Sequence, residues 1–332
     1  MRSGMSRRVA AACAAGLVTA AAAGCGTADG GDGGPQGSDA SVSVVTGVYP
    51  LQWLAERVGG EHVDVTNLTE PGAEPHDLEL SPRQVGAVAE ADVVLHISGL
   101  QPAVDEAVAQ QAPDTGLDAA DLVELRAAEE GEGHEHGDED GHEEHGEHEE
   151  HEEHDHDHGG TDPHVWLDPE RMAAIADGLA ERLAEADAAD ADAFRANAER
   201  VSAELDDLDS AYRDGLAQCA SRDLVTSHTA FGYLADRYDL TQVGISGVDP
   251  DSEPSPARMA EVARLVEEHD VTTIFTETLA SPAIAETIAE ETGATTAVLD
   301  PLEGITDRSP GDDYPSVMTA NLEALRMALS CD

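Results

Sequence analysis

An α/β fold of two lobes, each with a mostly parallel sheet flanked by helices, is predicted by three observations in this 332-residue sequence. Short apolar runs of strand length alternate with amphipathic segments of helical period. The order strand, helix, strand, helix, strand occurs once in residues 42–97 and again in 224–276. Between the two lies a long helical stretch, which reads as a rigid connector with the ligand cleft between the lobes.

Taken from the N-terminus, residues 1–24 read as a signal peptide. Arg7 and Arg8 precede the apolar, alanine-rich run Val9–Ala23, which has the length of a signal core and is short for a membrane span. The run closes on Ala22-Ala23-Gly24-Cys25. This looks like the lipobox of bacterial lipoproteins, with Ala22 where leucine is more usual and Cys25 as the lipidated first mature residue. Residues 25–41 are Gly, Asp, Ser and Pro with almost no apolar content, the composition of a flexible tether. The expected location is the outer face of the cytoplasmic membrane, lipid-anchored.

The N-terminal lobe is expected over 42–168. Val42–Val45 reads as a strand, Leu51–Val58 as a helix and His62–Leu68 as a second strand. Ser81-Pro82 opens a helix ending near Glu90, serine as cap and proline at the first helical position. Asp92–Ile97 is a buried strand. Residues 169–219 form connecting helices with a break at 188–192. In them Phe194, Ala198, Val201, Leu205, Leu208, Tyr212 and Leu216 recur at three- and four-residue steps and share one face. The C-terminal lobe is expected over 220–332. Its strands are Leu224–Ser227, Gln242–Ile245 and Val271–Thr276; its helices are Ala230–Tyr238, a second opened by Ser255-Pro256 and running to His269, and a last one from Met318 to Leu329.

With 70 acidic residues against 17 arginines, no lysine and a formal charge of −53, the chain is a poor partner for nucleic acid or anionic headgroups. A cationic ligand is favoured, although a high-salt habitat selects the same surface. Cys13 leaves with the signal and Cys25 takes the lipid, so Cys219 and Cys331 remain. In an oxidising compartment they are expected to pair.

Nine of the 15 histidines fall in one loop: His134, His136, His142, His145, His148, His151, His154, His156 and His158. No apolar side chain occurs from Gly131 to Gly160, so residues 129–160 cannot form a core and read as a disordered surface loop. Imidazoles and carboxylates both bind borderline divalent ions, and without fixed geometry the loop is expected to hold several ions weakly. A tight site must come from the lobes. His62 and His269 read as surface or cap residues. His76, His164, His228 and Asp300 stand in loops or at the ends of apolar strands, where open α/β sheets bind ligands. Their spacing matches no short chelating motif.

The motifs EPHDLELSP (74–82), DPHVWLDP (162–169), VTSHTAFGYLADRY (225–238), FTETLASP (275–282) and LDPLEG (299–304) carry a resemblance over about 42–329. The chain resembles the metal-binding lipoproteins and periplasmic proteins of bacterial ABC importers for zinc and manganese, the cluster A-I family. The resemblance implies His76, His164, His228 and Asp300 as the metal ligands, with Glu277 orienting one of them. Histidine at the third position, here His228, is the pattern of family members thought to carry zinc. Three imidazoles and one carboxylate favour tetrahedral Zn²⁺ as the transported ligand. The implied partners are an ABC permease with its cytoplasmic ATPase, and the membrane through the N-terminal lipid; the chain is expected to be a monomer and not an enzyme. The sequence has no H-E-x-x-H signature and no evident general base beside the histidines. The alternatives left open are Mn²⁺ or Fe²⁺ as the ion, or a metal-binding adhesin. Two departures from the family pattern stand out: His96 after a strand, a residue that could line the cleft, and Ser98-Gly99-Leu100-Gln101-Pro102.

Overall fold

Parallel strands need crossovers, and in this chain the crossovers are helices. The computed structural model describes residues 41–128 and 160–332; the signal segment, Cys25, the tether and the nine-histidine loop lie outside the described residues. The first lobe runs β1 (Val42–Thr46), α1 (Tyr49–Gly59), β2 (Val63–Asn67), α2 (Pro82–Glu90), β3 (Val93–His96), α3 (Pro102–Gln111) and β4 (Gly116–Asp118). Helices α4 (Pro169–Ala186) and α5 (Ala191–Leu216) follow. The second lobe runs β5 (Asp223–Thr226), α6 (Gly232–Arg237), β6 (Thr241–Gly244), α7 (Pro256–Glu268), β7 (Thr273–Thr276), α8 (Ala283–Thr292), β8 (Thr295–Val298) and α9 (Tyr314–Ala328). The sheets have the orders β2-β1-β3-β4 and β6-β5-β7-β8, and every pairing in both is parallel.

The inner strands of each sheet, β1 and β3 in one and β5 and β7 in the other, are buried on both faces, and the period of two along a strand sorts their residues. Val42, Val44, Val93 and Leu95 point into a core shared by both lobes, together with Leu224 and Phe275 of the second sheet. Val45 and Val94 face α2 and α3 in a separate cluster with Val88 and Val104. Val225 and Ile274 do the same with Val262 and Ile288 of α7 and α8.

Helix starts follow the cap chemistry. At α2 the Ser81 Oγ accepts from Gln84 N at 3.4 Å while Gln84 Oε1 accepts from Ser81 N at 2.9 Å, a reciprocal capping box. Ser255 Oγ accepts from Arg258 N at 3.2 Å at the start of α7. The seven residues expected on one face of the connector are all buried in α5, a helix of 26 residues and so roughly 39 Å long. It packs on α1 and α4 at one end and on α9 at the other. The helix pair breaks at 187–190, where His62 Nδ1 stands 2.9 Å from Asp190 Oδ2. His62 itself lies in a 3-10 turn before β2 and not in the strand.

The lobes are further tied by aromatic groups. Trp53 of α1 stacks on Tyr314 of α9 with ring centroids 4.8 Å apart. Tyr314 Oη donates to the Trp166 carbonyl at 2.6 Å, and Trp166 Nε1 donates to the Pro301 carbonyl at 2.7 Å. Cys219 and Cys331 form a disulfide across 112 residues of sequence, joining the end of the connector to the segment after α9. Helices α3 and α8 and the short strand β4 complete the two sheets and lie outside the elements expected from the sequence. Among the described residues no helix is long and apolar enough to cross a membrane.

Candidate metal centre

Three of the loops that follow strands converge between the lobes. His76 sits in the β2–α2 loop, His228 in the β5–α6 turn and Glu303 in the β8–α9 loop. His164 precedes the 3-10 turn Val165–Leu167 that leads into α4. Among the described residues, the group of side chains able to hold a cation is His76, His164, His228 and Glu303, whose ligating atoms all lie within 4.8 Å of one another. His164 and His228 are fully buried and Glu303 is 1% exposed.

The spacing has a physical meaning. Glu303 Oε1 stands 3.3 Å from His76 Nε2, 3.2 Å from His164 Nε2 and 3.3 Å from His228 Nε2. Zinc bonds of about 2.0–2.1 Å in a tetrahedron place neighbouring donor atoms about 3.3–3.4 Å apart. The three edges from the carboxylate oxygen to the imidazole nitrogens are therefore set at the length such an ion needs, and all four donor atoms lie within 4.8 Å of one another. His228 Nε2 and Glu303 Oε2 are buried without a hydrogen-bond partner, a costly condition that a cation at the convergence point would relieve for the nitrogen directly.

Each fully buried ring is aimed by a carboxylate on its far nitrogen. His164 Nδ1 is 2.8 Å from Asp162 Oδ1, and His228 Nδ1 is 2.6 Å from Glu277 Oε1. A carboxylate can only accept, so both rings carry a proton on Nδ1, which leaves Nε2 as the inward nitrogen that gives up its proton when an ion binds. Asp162 is itself steadied from the second lobe: Tyr233 Oη donates to its carbonyl at 2.7 Å and accepts from Arg126 N at 2.9 Å. The backbone of Ala128 and Gly160 is joined there at 2.7 Å, so the two ends of the histidine-rich loop meet close to His164 in the chain.

Charge in the pocket is biased towards cations. Burial pushes the Glu303 carboxyl up, yet its contacts with His164, His228 and His76 outweigh burial and hold it well below the carboxylate range. Burial disfavours a charged His228, but Glu277 and Glu303 raise it well above the usual imidazole value. His164 is likewise raised by Asp162 and Glu303 against burial. A centre that stabilises imidazolium beside a carboxylate is electrostatically prepared for a divalent ion.

The structure brings His76, His164 and His228 together and departs from the sequence expectation at the fourth position. Asp300 is outside the group. Its Oδ1 accepts from Leu302 N at 2.8 Å and its Oδ2 accepts from Thr278 Oγ1 at 3.3 Å, while Asn321 holds its backbone from both sides at 3.0 and 2.7 Å. Leu302 adopts a φ of 63°, which reverses the chain so that Glu303, not Asp300, faces the histidines. Asp300 thus shapes the loop. Glu277 lies against His228 as an orienting group. His96 ends β3 with Nδ1 3.3 Å from Asp105 Oδ1, outside the group, and His269 Nδ1 pairs with Asp223 at 3.2 Å. Sequence reasoning missed Glu303 and Asp162. Asp162 carried a usable signal, because an aspartate two residues before a histidine can reach both that residue's backbone N–H, here at 3.0 Å, and its ring.

Residues 44–328 match the model of the family described as zinc-uptake complex component A, periplasmic. The chain belongs to this family. It is 35% identical over 304 residues to the zinc-binding lipoprotein AdcA of Streptococcus pneumoniae, a match covering 87% of this chain and 56% of AdcA, so the chain spans about half of that relative. It is 34% identical over 292 residues to the high-affinity zinc uptake system protein ZnuA of Bacillus subtilis, covering 86% of this chain and 87% of that one. Among solved structures, the Zn(II)-bound ZnuA-like domain of AdcA superposes with a TM-score of 0.69 at 31% identity, covering 87% of this chain and 99% of that domain. The laminin-binding protein Lmb of Streptococcus agalactiae, described as bifunctional with adhesin and metal-transporting activity, superposes at 0.72 and 30% identity, covering 87% of this chain and all of that one.

Proposed function

We propose that the chain is the extracytoplasmic binding component of a zinc importer, holding Zn²⁺ through His76, His164, His228 and Glu303 and passing it to an ABC permease. The observation that carries this reading is the convergence of four donor atoms in a buried pocket between the lobes, with the Glu303 oxygen 3.2–3.3 Å from all three imidazole nitrogens. Three neutral imidazoles and one carboxylate suit zinc better than Mn²⁺, which prefers more oxygen donors. Capture needs the Nε2 atoms that Asp162 and Glu277 aim inward, deprotonated as the ion enters, and a carboxylate that compensates part of the ion's charge. All four donors are spent on the ion, which suits binding and release more than activation of water. The chain acts as a monomer tethered through a lipid on Cys25, which keeps the loaded cleft within reach of the permease. The nine histidines between His134 and His158 serve as weak collecting sites beside it.

Elemental analysis of the mature protein, purified without a histidine tag and followed by competition among Zn²⁺, Mn²⁺ and Fe²⁺, tests the reading. One tightly held zinc per chain, displaced by neither competitor, is expected; preferential retention of manganese or iron would overturn zinc as the cargo. Adhesion is a second reading, favoured by the likeness to Lmb. Solid-phase binding of the zinc-loaded protein to laminin checks it, and no binding above a denatured control removes it.

A further inference from the structure

We infer that Gln101 is the positioning residue for His76, an inference that rests on the assignment of His76 as a zinc ligand. His164 and His228 are aimed through their rings by carboxylates. His76 lies on the long loop 68–81, and that loop is anchored through its backbone. Gln84 Nε2 donates to the Leu68 carbonyl at 2.8 Å where the loop begins. Gln101, the residue before α3 and only 2% exposed, reaches the middle of the loop. Its Nε2 donates to Thr69 Oγ1 at 2.9 Å and to the Pro75 carbonyl, one residue before His76, at 3.2 Å.

The network has a definite polarity. Thr69 Oγ1 donates its proton to the Gly47 carbonyl at 2.6 Å, so towards Gln101 it must accept. The Pro75 carbonyl can also only accept. Two acceptors fix the amide with Nε2 towards the loop and Oε1 towards Gly47. Gly47 gives the amide its room, since a Cβ there would lie 2.3 Å from Gln101 Oε1. Gly47 follows β1, the strand held between β2 and β3, and its N–H donates to the Leu95 carbonyl of β3 at 3.3 Å. A continuous hydrogen-bonded path therefore runs from the middle of the first sheet through Thr69 and Gln101 to the peptide that carries His76.

A glutamate at 101 would keep the shape and, when ionised, remove the donor. Its carboxylate would turn lone pairs towards the Pro75 carbonyl, which cannot donate, and towards Thr69 Oγ1, which could donate only by giving up its bond to the Gly47 carbonyl. The loop would be pushed off the sheet and the His76 ring would lose its fixed place opposite Glu303.

The test uses the mature full chain and four variants: Gln101→Glu, Gln101→Ala, Thr69→Val and His76→Ala, with the double variant His76→Ala/Gln101→Ala. Zinc affinity and release rate are read by chelator competition, ligand geometry by the visible spectrum of the Co²⁺-loaded protein, and folding by thermal unfolding without metal. Both Gln101 variants should weaken zinc binding by about 10- to 100-fold and change the Co²⁺ bands, the size of effect typical of groups that orient a ligand. Thr69→Val should do the same to a smaller degree. In the His76→Ala background, Gln101→Ala should add nothing. Wild-type affinity and spectrum in both Gln101 variants, or an equal loss with and without His76, would overturn the inference. Should Gln101→Glu not fold, Gln101→Ala and Thr69→Val decide alone. Wild-type zinc binding by His76→Ala would instead break the site assignment itself, a separate result.

Discussion

The two lobes repeat one strand order but hold their cleft groups in different ways. In the second lobe, His228 stands two residues beyond the end of β5 and is locked by Glu277, while Glu303 is delivered by a loop that Asp300, Asn321 and the left-handed Leu302 shape together. In the first lobe, His76 rides on a long loop held by glutamine amides. Common topology fixes where loops gather, at the C-terminal ends of parallel strands. It does not fix how stiffly each side chain is held. The second lobe holds its cleft groups through side-chain contacts, and the first lobe holds His76 through contacts to the backbone of its loop.

The largest effect that could break this comparison is at the fourth position. Glu303→Gln is expected to weaken zinc binding by at least about a thousandfold, roughly 4 kcal/mol, because it removes the charge that faces all three imidazoles. Asp300→Asn keeps an acceptor for Leu302 N and should cost less than about tenfold. Calorimetric titration of both variants in a chain lacking residues 129–159 checks the order. A reversed order would show that Asp300 turns inward when the ion binds.

Residue chemistry explains why Glu303 was hard to read. Asp300 and Glu303 are carboxylates three residues apart after the same strand, and either could reach the cleft. The choice depends on the positive φ of Leu302, a conformation leucine rarely takes and no local pattern announces. By contrast, the caps at Ser81 and Ser255 and the buried face of α5 were plain in the sequence, because they follow from local hydrogen bonding and a 3.6-residue period. Strand β4 has three residues, Gly116–Asp118, all half-buried, too few to show alternation. Helix α3 buries only Val104, Ala107 and Val108, so its apolar stripe is thin. The three histidines could be picked out because their placement at loop and strand ends and the family motifs pointed to the same residues.

The covalent clasp sharpens the comparison next. Cys219–Cys331 ties the connector to the segment after α9 in the second lobe. Its reduction should lower stability by about 2–5 kcal/mol, mainly through the larger freedom of the unfolded chain. Because one apolar core spans both lobes, the reduced protein should still unfold in a single transition, only at lower denaturant. Two separated transitions by circular dichroism would show that the lobes are independent and that the core does not couple them. In the denatured, unreduced mature protein neither cysteine should react with a thiol reagent.

Acidity should act on metal-free and loaded protein in opposite directions. His228 and His164 are raised in the folded metal-free state, so the stability they add is complete below about pH 6.5 and is lost as pH rises through their folded values. Glu303 is depressed; its contribution is present above about pH 4.5 and is lost only as pH falls through its low folded value. Zinc needs the rings deprotonated, so its stabilisation grows with pH. The rise in melting temperature on adding zinc should therefore widen from about pH 6 to pH 8, with protons released to the buffer on binding. A constant rise across that range would mean that the rings are already neutral without metal.

The smallest expected effect on the tight site comes from deleting residues 129–159. The ends of that segment are joined by the Ala128–Gly160 backbone hydrogen bond, so a short turn can replace it without moving Asp162 or His164. Nine imidazoles should bind several ions weakly and lose them as pH drops from roughly 7.5 to 5.5, the range around the free imidazole value of about 6.5, because a protonated ring cannot coordinate. The cleft should release its ion only at lower pH, since fixed donors hold it against protons. Titration of the mature and loop-deleted proteins with zinc at pH 7.5 should show several weak events and one tight event in the first, and the tight event alone in the second. A change below about threefold in the tight constant is within what altered remote charge can do at moderate salt. If the tight event vanished with the loop, a loop histidine would be completing the centre, and the contrast between the ways the two lobes hold their cleft groups would have to include a third contributor.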